Sequence, residues 1–424
     1  MILSALENKR IAIWGMGREG VTTLAFLKDY FPDQQFIIIN RDPIKTDETF
    51  IAEEEMIEHL SEIDIIIKSP GISYYHENVQ KMLEAGIVVT SATSIWFQLS
   101  KKGIVIAITG SNGKSTTSAL THHILKVLGK NAAIGGNIGK PLLSLPLDAD
   151  YYVVELSSYQ TCDLEGVPDI AVLLNLYPEH IQWHHSHAQY YHDKCNLLRQ
   201  GAKINIVNHY EPRTADIAEH SIKFGCEDAI HFENSIMMDG GMEIGYLEGF
   251  PLLGVHNLEN LSATLTICQQ LDLDLRECLE AAKSYPGLPH RLQIFGPHND
   301  NMFVNDSIST DPEATIAALE ALNKKNVTLI VGGEDREQDY SALANAIDQT
   351  GTRAICVYET GPRLFDLIKS GEKYRADRLE DAVIKAKEIT PKGGYIVLSP
   401  AAPSYDAFRD FEERGDLFIK YAKT

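Results

Sequence analysis

The sequence predicts an α/β protein made of three successive, mainly parallel sheets. Short β-branched runs alternate with helical stretches from one end of the chain to the other. Two of those runs lead straight into glycine-rich turns that open helices. Breaks near residues 94 and 287 divide the 424 residues into pieces of ordinary domain size. No internal repeat or low-complexity segment interrupts the pattern.

The first piece, residues 1–94, opens with a buried strand at Ile11–Trp14. The turn Gly15-Met16-Gly17-Arg18-Glu19-Gly20 and a helix follow. Strands are expected at Phe36–Asn40, Asp64–Lys68 and Ile87–Thr90, and Ser91–Ser100 reads as a connector. The second piece, residues 95–287, starts with a strand at Ile104–Thr109, then Gly110-Ser111-Asn112-Gly113-Lys114-Ser115-Thr116 and a helix to about Leu128. Tyr151–Glu155 and Ile170–Asn175 are further apolar strands. After Gly287-Leu288-Pro289-His290, the third piece, residues 288–424, carries strands at Met302–Asn305, Val327–Val331, Ala354–Val357 and Tyr395–Ser399.

Composition narrows the function classes. The chain has 38 Lys and Arg against 59 Asp and Glu, a net charge of −21. No basic cluster offers a nucleic-acid face. No apolar run approaches the roughly 18 residues of a membrane span, and Met1–Arg10 lacks a signal-peptide core. The six cysteines are scattered without a CxxC pair, as expected for reduced thiols in a cytoplasm.

The sharpest chemical signal is Gly110–Thr116. A glycine-rich turn between strand and helix aims backbone N–H groups at phosphate oxygens. Lys114 can reach the β- and γ-phosphates, and the Ser115 hydroxyl can sit on Mg²⁺. The pattern is a shortened phosphate loop: Ile108 stands where the longer form begins with glycine. Glu155 ends a buried strand at the edge where parallel sheets hold ligands, and a carboxylate there can share Mg²⁺ with Ser115. A segment rich in histidine follows the next strand: His180, His184, His185, His187 and His192. Most of these read as surface groups. Lys194, taken alone, is an ordinary solvated helix residue. Gly15-x-Gly17-x-x-Gly20 with Asp42 fits a dinucleotide-dependent oxidoreductase, but a UDP diphosphate satisfies the same turn equally well.

Thr109-Gly-Ser-Asn-Gly-Lys-Ser-Thr116 resembles the phosphate loop of the Mur ligases, the family that also includes folylpolyglutamate synthetases. Glu155-Leu-Ser-Ser-Tyr-Gln160, Asn175-Leu-Tyr-Pro-Glu-His180, His256-Asn257 and Gly287-Leu-Pro-His-Arg291 extend the resemblance along the chain, as do Ser69–Ile72, Gly136–Gly139, Leu398–Ala401 and Phe411–Gly415. It implies a Rossmann-like N-terminal sheet for a UDP-sugar, a P-loop ATPase-like central sheet for ATP, and a Rossmann-like C-terminal sheet for an amino acid. By this resemblance two Mg²⁺ ions are held by Ser115, Glu155, His180 and a carbamylated Lys194. Lys114, Glu155, His180 and Lys194 become the catalytic set. Gly110, Asn112, Gly113, Lys114, Ser115, Thr116, Asn257, Arg291 and Asp306 bind ATP. Arg18, Glu19, Asn40, Arg41, Ser69 and Asn137 contact the UDP-sugar, and Thr310, Arg336, Ser404 and Phe411 grip the amino acid.

The type of ligase implied adds glutamate to UDP-N-acetylmuramoyl-L-alanine through an acyl phosphate, as a cytoplasmic monomer in cell-wall synthesis. D-Glutamate is the expected amino acid. Two departures bear on that expectation. Arg336 replaces a lysine, which a bidentate guanidinium can match. Ile308 replaces a second lysine and removes a cation from the acceptor pocket, which keeps an L-glutamate-adding alternative open.

Overall fold

The computed structural model describes residues 3–214, 221–298, 300–322, 326–369 and 371–424. Three sheets organise them. The first contains β1 (Ile11–Trp14), β2 (Ile37–Asn40), β3 (Thr49–Ala52), β4 (Ile65–Lys68) and β5 (Val88–Ser91). Its order is β3-β2-β1-β4-β5, all parallel. The chain reverses its direction of travel between β1 and β4, so the ligand crevice of a parallel sheet opens at their carboxyl ends.

The second sheet holds β6 (Ile104–Thr109), β7 (Ala132–Gly136), β8 (Tyr151–Glu155), β9 (Ile170–Leu173), β10 (Ile204–Asn208), β11 (Ile222–Phe224), β12 (Ile230–Glu233), β13 (Ile236–Asp239) and β14 (Met242–Tyr246). β6 lies between β8 and β9, so whatever follows those three strands converges on one edge. β12, β13 and β14 form an antiparallel meander at the far side. Its turns are tight two-residue hairpins, Asn234-Ser235 and Gly240-Gly241, all four residues at positive φ.

The third sheet contains β15 (Gln293–His298), β16 (Asn301–Asn305), β17 (Val327–Val331), β18 (Arg353–Val357), β19 (Lys373–Ala376) and β20 (Tyr395–Leu398), in the order β15-β16-β20-β17-β18-β19. It is parallel except for the edge strand β15, which runs against β16.

Residues 1–250 and 256–285 form one compact unit, and residues 251–255 and 286–424 a second. The first two sheets therefore share a unit. Ser91–Ser100, read as a connector, holds a helix at Ala92–Gln98 with six of its seven residues buried. Ser91 Oγ accepts from Ser94 N and caps its start, and Lys101 Nζ donates to the carbonyls of Trp96, Phe97 and Leu99 at its end. Trp96 meets Tyr152 of β8 edge-on at 5.5 Å. One apolar cluster runs from Ile13 and Ile67 through Trp96 to Val105 and Val154. The apolar residues of a short helix followed by a polar turn hide its periodicity; burial between two sheets stabilises it.

Candidate functional site

The phosphate loop leaves β6 and enters the helix Lys114–Val127. Gly113 takes φ +83°, and a Cβ there would lie 2.2 Å from Asn260 Oδ1. Only glycine fits both the turn and the close approach. Asn175, just past β9, clamps the loop through both sides of its amide. Its Oδ1 accepts from Asn112 N at 2.8 Å, and its Nδ2 donates to Asn112 O at 3.1 Å. Ser111 Oγ accepts from Tyr177 N and lies 2.7 Å from Tyr190 OH. Lys114 Nζ donates to Ser111 O at 2.5 Å, so the ammonium folds back over the loop. From the opposite side, Asn260 Nδ2 donates to Asn257 Oδ1, and Thr117 donates to Asn260 Oδ1. Ser115 is half-buried and Thr116 buried in the first helical turn. A loop shaped in this way, with a helix N-terminus behind it, cradles an anion.

Glu155 ends β8 beside this loop and is fully buried. Asn137 Nδ2 donates to its Oε1 at 2.6 Å. Its Oε2 has no hydrogen-bond partner among the described residues. A buried carboxylate oxygen left open is costly unless a cation or donor meets it. That orphaned oxygen fits a hard divalent cation. Lys194 lies in the helix His187–Arg199, 2% exposed, and its Nζ donates to Gly110 O at 2.6 Å. Burial, then the neighbouring Lys114 ammonium, push its pKa well below the ordinary lysine value. Glu155, Lys114 and Lys194 thus gather around the phosphate loop.

The histidines divide differently from the sequence reading. His180 is exposed at the head of the short helix Ile181–His184, with φ +54°. Its ring centroid is 5.1 Å from that of Tyr159, and partial desolvation of the ring, opposed by Glu179, lowers its pKa. His184, read as a surface group, is fully buried. Its Nδ1 lies 2.6 Å from Asp193 Oδ2 and its Nε2 2.9 Å from Ser158 Oγ. A neutral imidazole protonated on Nδ1 satisfies both contacts. Burial opposes the ionisation of Asp193, but bonds from His184, Gln189 and Tyr75 outweigh it and hold its pKa below the usual carboxylate range.

The crevice of the first sheet sits at the ends of β1 and β4. Gly15 takes φ +91°, and Ser69 Oγ donates to its carbonyl at 2.8 Å. Asn40 Oδ1 accepts from Met16 N, fixing the turn that follows β1. Glu19 accepts from Gln160 Nε2 at 3.0 Å, and burial raises its pKa. Arg18 and Arg41 are exposed at this edge.

The second unit holds the remaining predicted residues. Asp306 is buried with both oxygens engaged: Oδ1 accepts from Leu292 N, and Oδ2 from Ser309 and Ser399. Those three bonds leave one acceptor position on Oδ1 for a further donor. Arg291 is exposed. Arg336 is exposed and paired with Glu334 at 3.0 Å. Thr310 O accepts from Gln338, and Ser404 is buried at the foot of the turn whose Ala407 and Phe408 amides donate to its carbonyl. Phe411 O accepts from Ser307 Oγ. Arg414, not singled out from sequence, ties these segments together: its guanidinium donates to Ser307 Oγ, Ser307 O, Ala402 O and Pro403 O.

Residues 108–268 match the Mur ligase middle domain, and residues 290–402 the Mur ligase glutamate ligase domain. A UDP-N-acetylmuramoyl-L-alanine–L-glutamate ligase of Micromonospora sp. is 34% identical, covering 99% of this chain and 98% of its own length. The chain belongs to the Mur ligase family. An enzyme of the same name from Xanthomonas oryzae pv. oryzae is 35% identical over 100% of this chain and 97% of its own. Among solved structures, UDP-N-acetylmuramate-alanine ligase MurC of Thermotoga maritima has a TM-score of 0.59 at 16% identity, covering 97% of this chain and 99% of that one. The UDP-N-acetylmuramoylalanyl-D-glutamyl-2,6-diaminopimelate–D-alanyl-D-alanyl ligase of Acinetobacter baumannii has a TM-score of 0.60 at 16% identity, covering 97% and 90%. These likenesses support the three-sheet α/β fold. This Mur ligase is an ATP-dependent ligase, and the oxidoreductase reading of Gly15–Gly20 finds no support.

Proposed function

We propose that this Mur ligase joins L-glutamate to the alanyl carboxylate of UDP-N-acetylmuramoyl-L-alanine, in the cytoplasm and as a monomer, for peptidoglycan precursor synthesis. The observation that carries the ligase chemistry is the set around the phosphate loop: Lys114 folded over it, the open Oε2 of Glu155 and the buried amine of Lys194. The L form replaces the D-glutamate expectation on two supports. Ile308 removes a lysine from the acceptor side, and relatives of nearly equal length carry L-glutamate in their names.

The alanyl carboxylate oxygen attacks the γ-phosphorus of ATP, and the bond from that phosphorus to the ADP oxygen breaks. Lys114, the loop amides and the N-terminus of the following helix hold the phosphates and offset their charge. The glutamate amine then attacks the acyl carbon, loses its proton, and the carbon–oxygen bond to phosphate breaks. Ser115, Glu155, His180 and a carbamylated Lys194 would hold two Mg²⁺ ions. Bound Mg²⁺ would supply positive charge against the phosphate oxygens. Carbamylation of Lys194 consumes CO₂ and releases a proton, and it needs the neutral amine that burial favours. Arg18, Asn40, Arg41, Ser69 and Asn137 would contact the UDP-sugar. Asn257, Arg291 and Asp306 would contact the nucleotide, and Thr310, Arg336, Ser404 and Phe411 the amino acid.

Phosphate release with ATP, Mg²⁺ and UDP-N-acetylmuramoyl-L-alanine, with each glutamate enantiomer in a separate tube, tests this. Release with L-glutamate alone is expected. Release with D-glutamate alone would overturn the handedness, and no release with either would overturn the substrate.

A further inference from the structure

A partly buried hydrogen-bond chain leads from the loop at the sugar-nucleotide crevice to Asp193, the residue before Lys194, and the reaction chemistry above does not use it. It starts on the loop that follows β4, whose first residue, Ser69, braces Gly15 at the head of the crevice. Six residues on, Tyr75 OH donates to Asp193 Oδ1 at 2.8 Å. Gln189 Nε2 donates to both Tyr75 OH and Asp193 Oδ1, at 2.6 and 2.8 Å. The other oxygen of Asp193 is held by His184, and His184 by Ser158, three residues after Glu155. Asp193 directly precedes Lys194 in the same helix, so the bonds that fix Asp193 help to fix the turn from which the lysine projects. The same loop grips the histidine segment: Trp183 Nε1 donates to Gly71 O at 3.2 Å, and Ser73 Oγ to Trp183 O at 2.9 Å. Tyr75 packs edge-on against Trp183 with centroids 6.2 Å apart.

We infer that Tyr75 is a positioning residue that couples the sugar-nucleotide loop to Lys194, so that substrate binding and loading of the lysine with CO₂ and metal favour each other. The inference rests on the proposed roles of the first-sheet crevice and of Lys194. The β4 loop has one face on the crevice and hydrogen bonds to the Lys194 helix and the His180–His184 segment on the other. A ligand that orders the loop therefore orders both. Groups that orient metal-binding side chains typically change metal affinity by roughly 10- to 100-fold when removed. Any such coupling is reciprocal: bicarbonate and Mg²⁺ must tighten substrate by the same factor that substrate tightens them.

The test is the dissociation constant of UDP-N-acetylmuramoyl-L-alanine by calorimetry, in CO₂-free buffer and again with bicarbonate and Mg²⁺. The wild-type protein is expected to bind more tightly in the second condition, by roughly 5-fold or more. Tyr75→Phe keeps the ring and removes the hydroxyl; it should bring that ratio close to one while Tm changes little. Gln189→Ala removes the second donor shared by Tyr75 and Asp193 and should move the ratio the same way, which keeps the test open if Tyr75→Phe folds poorly. A wild-type ratio retained in both Tyr75→Phe and Gln189→Ala overturns the inference. A wild-type protein that ligates substrate but shows no ratio overturns it while leaving the proposed function standing. Failure of the wild type to bind or turn over the UDP-sugar overturns both.

Discussion

Glu155→Gln should give a more stable protein that does not turn over. Glu155 is fully buried, its Oε1 held by Asn137 and its Oε2 unpartnered among the described residues. An unsatisfied buried polar atom typically disfavours the folded state by about 1–3 kcal/mol. Glutamine keeps the shape and the acceptor for Asn137, and it replaces a carboxylate with a neutral amide. Because the new amide also lacks a full set of partners, the gain belongs at the lower end, about 1–2 kcal/mol. For a unit of this size that is a rise in Tm of roughly 2–4 °C. The assay is thermal unfolding in Mg²⁺-free buffer and again with Mg²⁺, beside phosphate release. The wild type should gain Tm with Mg²⁺ and the variant should not, because the open oxygen that would meet the ion is gone. Lower stability in Mg²⁺-free buffer, or an unchanged Mg²⁺-dependent gain, would refute the argument that this carboxylate is held open for a cation.

Three further perturbations test other parts of the site. Gly113→Ala forces a Cβ to within 2.2 Å of Asn260 Oδ1 at φ +83°, and ATP affinity measured by calorimetry should fall at least about tenfold. Arg414→Met leaves the carbonyls of Ser307, Ala402 and Pro403 without their buried donor and should destabilise the second unit by about 2–4 kcal/mol in urea unfolding. Lys194→Met, compared with wild type in CO₂-free buffer, tests the buried amine. Its folded pKa lies well below the unfolded value near 10.5, so between those two the unfolded chain binds more protons. Wild-type stability should therefore rise with pH across that window relative to the variant; a flat difference would mean that the amine is not buried neutral.

Much of the fold was legible because fully buried parallel strands announce themselves as apolar runs. Ile11–Trp14, Ile104–Thr109 and Tyr151–Glu155 carry that signature and form β1, β6 and β8. The strands β10 to β14 escaped. They are three to five residues long, half-exposed, and mix Asn, His, Glu and Met with their apolar residues. The Asn234-Ser235 and Gly240-Gly241 hairpins were the signal that could have revealed three of them, since adjacent positive φ values suit such pairs. In the site, residues on a local motif were readable and those brought in from a distance were not. Asn175 clamps Asn112 from 63 positions away, and Asn260 reaches Thr117 from 143. His184 shows the limit most clearly. Among neighbouring histidines nothing in the local sequence marks the one that turns inward, because its partners Ser158 and Asp193 lie 26 residues before it and nine after.

The placement of charge in the first unit also explains how an acidic chain can hold polyanions. A net charge of −21 opposes the approach of ATP and of a UDP-sugar at long range, but ions beyond about 10 Å are largely screened at physiological salt. What decides binding is the local field, and there the cations are concentrated. Lys114 sits on the phosphate loop, Lys194 beneath it, and a helix of 14 residues presents its N-terminus to the same point. Burial first, and the like charge of Lys114 second, hold the pKa of Lys194 well below the ordinary lysine value. The repulsion is relieved if Lys194 gives up its proton, and relieved further if the neutral amine becomes an anionic carbamate facing Lys114. Burial favours the neutral amine that carbamylation needs, but it also penalises the carbamate anion, so the proposed modification would depend on Lys114 and bound cations to offset that charge.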